Sequence, residues 1–180
     1  MLPDQPWLVA CPHCSILVWI TELEELGQLD PGFRPFLDGP SACNSHAGGS
    51  ALLKDARPFR LPTMKDFFDV LGSGLTDPKK IRYARNRAWW AANDQRRRQT
   101  KSAPMSLQEI ENLEGLAAIL DDTESSEKIM KAEIMRELGR FDEALELLAG
   151  NTDPESAQAV AAIGRLAEAG DRMVRELIAD

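Results

Sequence analysis

The sequence predicts an α+β chain of two unequal parts: a small metal-stapled β module over residues 1–50 and an α-helical domain over residues 63–180, joined by a linker at 51–62. Three observations carry that reading. All three cysteines and both histidines fall in the first 46 residues, and four of them form the pairs Cys11-Pro12-His13-Cys14 and Cys43-Asn44-Ser45-His46. Strand-favouring residues flank the first pair, Trp7 to Val9 on one side and Ser15 to Ile20 on the other. From Thr63 onward the apolar residues instead recur three and four apart, the spacing of one helical face.

The paired spacing is that of a zinc site. A Cys-x-x-Cys turn lets two thiolates reach one ion about 2.3 Å away, and a second such turn completes a tetrahedron. The expected ligands are Cys11, Cys14, Cys43 and His46, with the 28 residues Ser15 to Ala42 connecting the two turns. A redox Cys-x-x-Cys pair is the competing reading, but it belongs in a βαβ context and does not call for a distant Cys-x-x-His. His13 lies inside the first turn and is an alternative ligand only if His46 fails. Four protein ligands fill zinc's usual coordination, whereas hydrolytic zinc keeps a position open for water, so the site reads as a structural staple. Glu22, Glu24 and Glu25 alternate with Ile20, Leu23 and Leu26 as the solvated face of an amphipathic turn rather than as general bases.

The elements follow in order. Strands on either side of the first knuckle make a ribbon, and Phe33, Phe36 and Leu37, in a turn-rich stretch, are expected to pack over the metal. Gly48 and Gly49 mark the exit from the module, and Pro58 and Pro62 punctuate an extended linker. Thr63 opens a helix whose apolar face is Met64, Phe67, Phe68 and Leu71, ending at Gly72 and Gly74. Asp77 caps a second helix with Pro78 in its first turn, running to about Arg98. Ser106 and Glu109 form a capping box for a third, carrying Leu107, Ile110, Leu113, Leu116 and Leu120. After an acidic break over Asp121 to Ser126, two helices meet at Gly139, one over Glu127 to Leu138 and one over Phe141 to Ala149. A last helical stretch starts at Asp153-Pro154 and extends, with a break at Gly170, to Ile178.

The pattern Gly139-x-Phe141-x-x-Ala144-Leu145-x-x-Leu148 resembles the inter-helix turn of a tetratricopeptide repeat, so residues 127–149 read as a TPR-like helical hairpin. One such unit is present. A degenerate second copy has Gly170-Asp171 at the turn but Arg172 at the aromatic position, and stable arrays usually need three or more units. With its Cys-Pro-x-Cys knuckle, its arginine- and tryptophan-rich central helix and this hairpin, the chain resembles a class of small bacterial proteins of unknown function. That resemblance implies a zinc-ribbon module, a helical body and a cytoplasmic bacterial setting, and it brings no catalytic residues.

Composition narrows the function. The 180 residues are 43% hydrophobic, enough to bury a core, and no apolar run approaches the roughly 18 residues a bilayer span needs. Three cysteines committed to a metal fit a reducing, cytoplasmic compartment. The net charge of −8 is unevenly spread: residues 1–78 carry 5 basic and 10 acidic side chains, residues 79–101 carry 9 and 1, and residues 102–180 carry 7 and 18. The basic island is expected to be neutralised by the acidic halves, more than to present a polyanion-binding surface. With no histidine outside the metal region, no Gly-rich phosphate loop and no nucleophile motif, the chain is not read as an enzyme.

The central helix holds the remaining candidates. Ile81, Ala84, Ala88, Ala91 and Ala92 gather into a flat small-residue face, and Tyr83 and Trp90 fall opposite, among arginines able to stack on them. Trp89 lies near Arg82 and Arg96 on the same wheel. Such a helix is either sandwiched inside the domain, the favoured expectation, or meets a partner through Trp90. Tyr83, Arg87, Trp90 and Arg97 are the candidate partner-binding residues, and a protein partner is favoured because Trp, Tyr and Arg dominate protein hot spots while the acidic surroundings repel nucleic acid. The expected function is thus that of a zinc-binding, non-enzymatic interaction or adaptor protein. The alternative is a zinc-ribbon nucleic-acid-binding regulator using Arg82, Arg85, Arg87 and Arg96 to Arg98.

Overall fold

A two-stranded antiparallel sheet followed by six helices makes the chain α+β among the residues that the structure, a computed structural model, describes: 5–25, 57–97, 104–151 and 153–175. The chain divides between Pro62 and Thr63 into two compact units.

In the first unit, β1 (Leu8–Ala10) pairs with β2 (Leu17–Trp19) in the register Leu8 to Trp19, Val9 to Val18 and Ala10 to Leu17. The short, β-branched and aromatic sequence suits so small a ladder. On the other edge of β1, Ala10 exchanges two backbone hydrogen bonds with Arg60, at 2.9 and 3.1 Å, so the extended chain before the unit boundary is anchored beside the knuckle. A single 3-10 turn, Ile20–Glu22, follows β2.

The second unit begins with α1 (Met64–Gly72), started by a capping box in which Thr63 Oγ1 accepts from Asp66 N and the Asp66 carboxylate accepts from Thr63 N at 2.8 Å. Asp77 Oδ1 accepts from the backbone N–H of Lys79 at 2.8 Å and so opens α2 (Pro78–Arg97), with Pro78 at a position where no N–H is needed. Ser106 and Glu109 form the expected capping box of α3 (Leu107–Ala117). The pair α4 (Ser125–Leu138) and α5 (Phe141–Leu148) turns at Gly139, whose φ of +82° is the left-handed cap that glycine adopts without a Cβ penalty. Ala144 and Leu148, at the hairpin's expected packing positions, are buried.

The last helix, α6 (Ala157–Glu168), is shorter than the periodicity predicts. Gly170 takes φ +65°, and residues 171–175 leave the helix, while 176–178 lie outside the described residues. The physical reason is a long-range clamp. Arg136, fully buried, donates Nε and Nη2 to the Glu133 carboxylate at 2.7 and 2.6 Å and Nη1 to the carbonyls of Asp171 and Met173. Those carbonyls satisfy a buried guanidinium, which outweighs the small gain from another helical turn.

The core of this unit gathers Trp89 of α2, Leu113, Leu116 and Leu120 of α3 and its end, Ile134 and Met135 of α4, Ala144 of α5 and Ala167 of α6. A smaller cluster of Ala132, Leu148 and Ile163 continues it between α4, α5 and α6. Among the described residues no helix is long and apolar enough to cross a membrane.

Candidate functional site

Cys11 follows β1 directly, and the connection from Cys11 to Ile16 closes as a knuckle: Cys11 N–H donates to Ile16 O and Ser15 N–H to Cys11 O, both at 2.9 Å. Ser15 completes the turn with a φ of +61°. Both thiols sit on this exposed turn. The backbone N–H groups of His13 and Cys14 point at Cys11 and hold its thiol below the ordinary cysteine value, the electrostatics that a metal-binding thiolate needs. Cys43 and His46 lie outside the described residues, as do Phe33, Phe36 and Leu37. Among the described residues no three His, Cys, Asp or Glu side chains come together as a metal-binding group.

The outer face of α2 is a stacked ridge. Tyr83, Arg87 and Trp90 follow at i, i+4 and i+7, and the Arg87 guanidinium carbon lies 5.9 Å from the Tyr83 ring centre and 5.7 Å from that of Trp90. Tyr83 is anchored from below by an edge-to-face contact with Phe67 of α1, centroids 6.3 Å apart. Alpha-helical rise makes nine-residue α1 about 13 Å long against about 30 Å for α2, so α1 accompanies only part of its neighbour. Trp90 is 46% exposed. The favoured sandwich therefore does not hold at Trp90, although it holds for the alanine face, where Ala84, Ala88 and Ala92 are buried. Arg97, a candidate by its wheel position, pairs within its own helix with Asp94 at 2.7 Å and does not join the ridge.

Three other arginines of α2 are engaged by neighbouring helices. Arg82 pairs with Glu127 of α4, and Arg96 with Glu109 of α3 while also donating to Asn93 Oδ1. Arg85 lays its guanidinium against Gly115 of α3, where a Cβ would come within 2.4 Å of it, and burial pushes its pKa down. Asn112 Nδ2 returns a hydrogen bond to Arg85 O at 3.0 Å. Arg98 lies outside the described residues.

Sequence reasoning placed Trp89 beside Arg82 and Arg96. It is instead buried, and with Asn93 it grips Glu137 of α4: Trp89 Nε1 donates to Oε2 at 3.0 Å and Asn93 Nδ2 to Oε1 at 2.9 Å. Burial pushes the Glu137 carboxyl above the ordinary range, and these two hydrogen bonds only partly offset it. No local signal marks this arrangement, since the partners are 48 and 44 residues apart.

Comparison with protein-family models, curated proteins and solved structures returns no match.

Proposed function

We propose that this chain is a zinc-stabilised, non-enzymatic interaction protein whose docking surface is the Tyr83–Arg87–Trp90 ridge of α2, carried on a helical body with a TPR-like hairpin. The observation that carries the reading is Trp90, 46% exposed with the Arg87 guanidinium over its ring. An exposed indole beside a guanidinium that no carboxylate neutralises among the described residues is complementary to a protein segment that sets an acidic side chain beside an apolar one. The zinc would be held by Cys11 and Cys14 with Cys43 and His46, and the N–H groups aimed at Cys11 favour the thiolate form. The reading includes a reducing, cytoplasmic setting, which is supported by cysteines committed to a metal.

The regulator reading is weaker because Arg82 and Arg96 are committed to Glu127 and Glu109, leaving fewer guanidiniums to meet phosphates. Glu137, buried with both oxygens occupied, suits a structural carboxylate better than a catalytic one.

The test is photo-crosslinking from a benzophenone amino acid placed at the exposed Asp94 on the metal-loaded full-length protein in cells. A defined protein partner is expected, lost on Trp90→Ala and on Arg87→Glu but kept on Leu107→Ser, a control at an exposed apolar residue, 79% accessible. Loss on Leu107→Ser alone, or crosslinks to nucleic acid in place of protein, would overturn the assignment of the ridge.

A further inference from the structure

A cavity of about 410 Å³ opens between the end of α2, the start of α3, the end of α4 and the segment after α6. Its volume lies in the range of small-molecule sites. Pro104, Met105, Ile110 and Met173 make its walls apolar, Glu137 closes the floor, and Arg96 and Arg172 supply the charge.

The charge is not symmetric. Arg96 is neutralised by Glu109, and Glu137 spends both oxygens on Trp89 and Asn93. Arg172 has no carboxylate partner among the described residues; only its Nε is used, donating to the Glu137 carbonyl at 3.1 Å. Among the described residues its two terminal nitrogens have no hydrogen-bond partner.

Arg172 is also held in place. Its neighbours on both sides, Asp171 and Met173, give their carbonyls to the buried Arg136, and the Asp171 carboxylate accepts the Met173 N–H at 2.8 Å. Its side chain runs over Gly139, where a Cβ would lie only 3.1 Å from Cδ and Nε. A guanidinium fixed by its Nε and by its backbone loses little freedom on binding, and its free edge matches a carboxylate bidentately.

We infer that this cavity is a binding site for a small amphipathic organic acid, its anionic head on the terminal nitrogens of Arg172 and its apolar body against Met105, Ile110 and Met173. The unbranched methionine walls adapt to a linear chain better than to a rigid ring. A cation is disfavoured, because the only carboxylate on the floor is fully buried and already saturated by donors.

Octanoate is the probe, titrated into the full-length protein by calorimetry, with acetate, octylamine and 1-octanol as comparisons. The expected result is saturable one-to-one binding of octanoate with a Kd of about 0.1–1 mM, the range that a ligand of this size reaches at ordinary efficiency. Octylamine, acetate and 1-octanol should each bind at least tenfold more weakly. Arg172→Gln should weaken octanoate at least tenfold, Ile110→Trp should abolish binding by filling the cavity, and Lys65→Gln, on α1 and outside the cavity lining, should leave it unchanged. Helical circular dichroism identifies any variant that fails to fold, and the four-ligand comparison on the unaltered protein decides without variants. Octylamine binding as tightly as octanoate, acetate alone binding equally, no saturation below 10 mM, or a folded Arg172→Gln protein with unchanged affinity would each overturn the proposal.

Discussion

Trp89 and Glu137 meet across the core, indole Nε1 to carboxylate Oε2 at 3.0 Å, and Asn93 one turn further along α2 takes the second oxygen. A buried carboxylate is costly unless its lone pairs find donors, so two residues at i and i+4 on one helix fix both the rotation of α2 and its height against α4. The contact also explains why a helix rich in arginine carries one fully inward tryptophan.

Trp89→Phe keeps the ring and removes only the donor. The vacated Glu137 oxygen is left unsatisfied in the core, and a loss of about 1–3 kcal/mol is expected, read as a lower denaturation midpoint of the helical signal. A change below about 0.5 kcal/mol would mean that water replaces the indole.

The same carboxylate predicts a pH effect. Burial and the neighbouring Glu133 raise the Glu137 pKa, while Trp89, Asn93 and Arg136 oppose the shift. A carboxyl whose pKa is higher folded than unfolded binds more protons in the folded state, so its contribution to stability is fully present below the unfolded value, about 4.3, and falls as pH rises through the folded value. Glu137→Gln removes that proton. It also sets an amide N–H against a donor, since both Trp89 and Asn93 donate, so the variant is less stable throughout. The decisive reading is the difference in stability between the two proteins across pH 4 to 8: the deficit of Glu137→Gln should shrink as pH rises above about 4.3, and a deficit that grows would reverse the assigned shift.

Local chemistry explains which parts of this architecture were legible. The capping box of Ser106 and Glu109, the Asp77-Pro78 start and the Gly139 turn are decided within four residues of sequence, and the structure has each of them. The end of the final helix was not legible, because it depends on Arg136 capturing carbonyls 35 and 37 residues away. Likewise the wheel correctly separated the buried alanines from Trp90, yet it could not tell that Arg82 and Arg96 would find Glu127 and Glu109 on other helices. Arg172 stands out in the sequence at the aromatic position of the second repeat-like turn, but its part in the cavity rests on the Arg136 clamp.

Two glycines should respond oppositely to alanine. At Gly139 the backbone φ of +82° costs a side-chain-bearing residue about 1–2 kcal/mol, and the new Cβ also crowds Arg172. At Gly115 the backbone is helical and the obstacle is the flexible end of Arg85, held by one weak 3.4 Å bond to Asn112 O. Gly115→Ala should push that guanidinium into water and gain up to about 1 kcal/mol of helix propensity. Thermal midpoints of the two variants measure this, and a loss at Gly115 comparable to that at Gly139 would show that the Arg85 contact is strong.

Zinc should bind one to one. Elemental analysis of protein purified without chelator is expected to give a full equivalent, and cobalt substituted for it should show the absorption of a tetrahedral thiolate site. Cys11→Ser should lose occupancy, as should Cys43→Ser. Chelation should leave most helical circular dichroism in place, because the two core clusters found among the described residues of the helical unit draw their buried members from residues 89–167. Collapse of the helical signal on chelation would show that the two units unfold as one.

The last prediction separates the two classes of partner. Of the six arginines that could face phosphates, Arg98 lies outside the described residues, Arg82 and Arg96 are spent on Glu127 and Glu109, Arg97 on Asp94, and Arg85 on the face of α3. Arg87 lies on aromatic rings among surroundings that are acidic on the C-terminal side. Each neutralised phosphate steepens the dependence of log affinity on log salt by roughly 0.7–0.9, so a protein with few available cations should bind weakly and with a shallow slope. Affinity for single- or double-stranded nucleic acid is expected to be no better than roughly 10 micromolar near physiological salt, within the range of non-specific binders. Fluorescence anisotropy at three salt concentrations reads both quantities. Submicromolar binding with a steep slope, abolished by Arg87→Glu while the protein stays folded, would transfer the ridge from a protein partner to a nucleic acid.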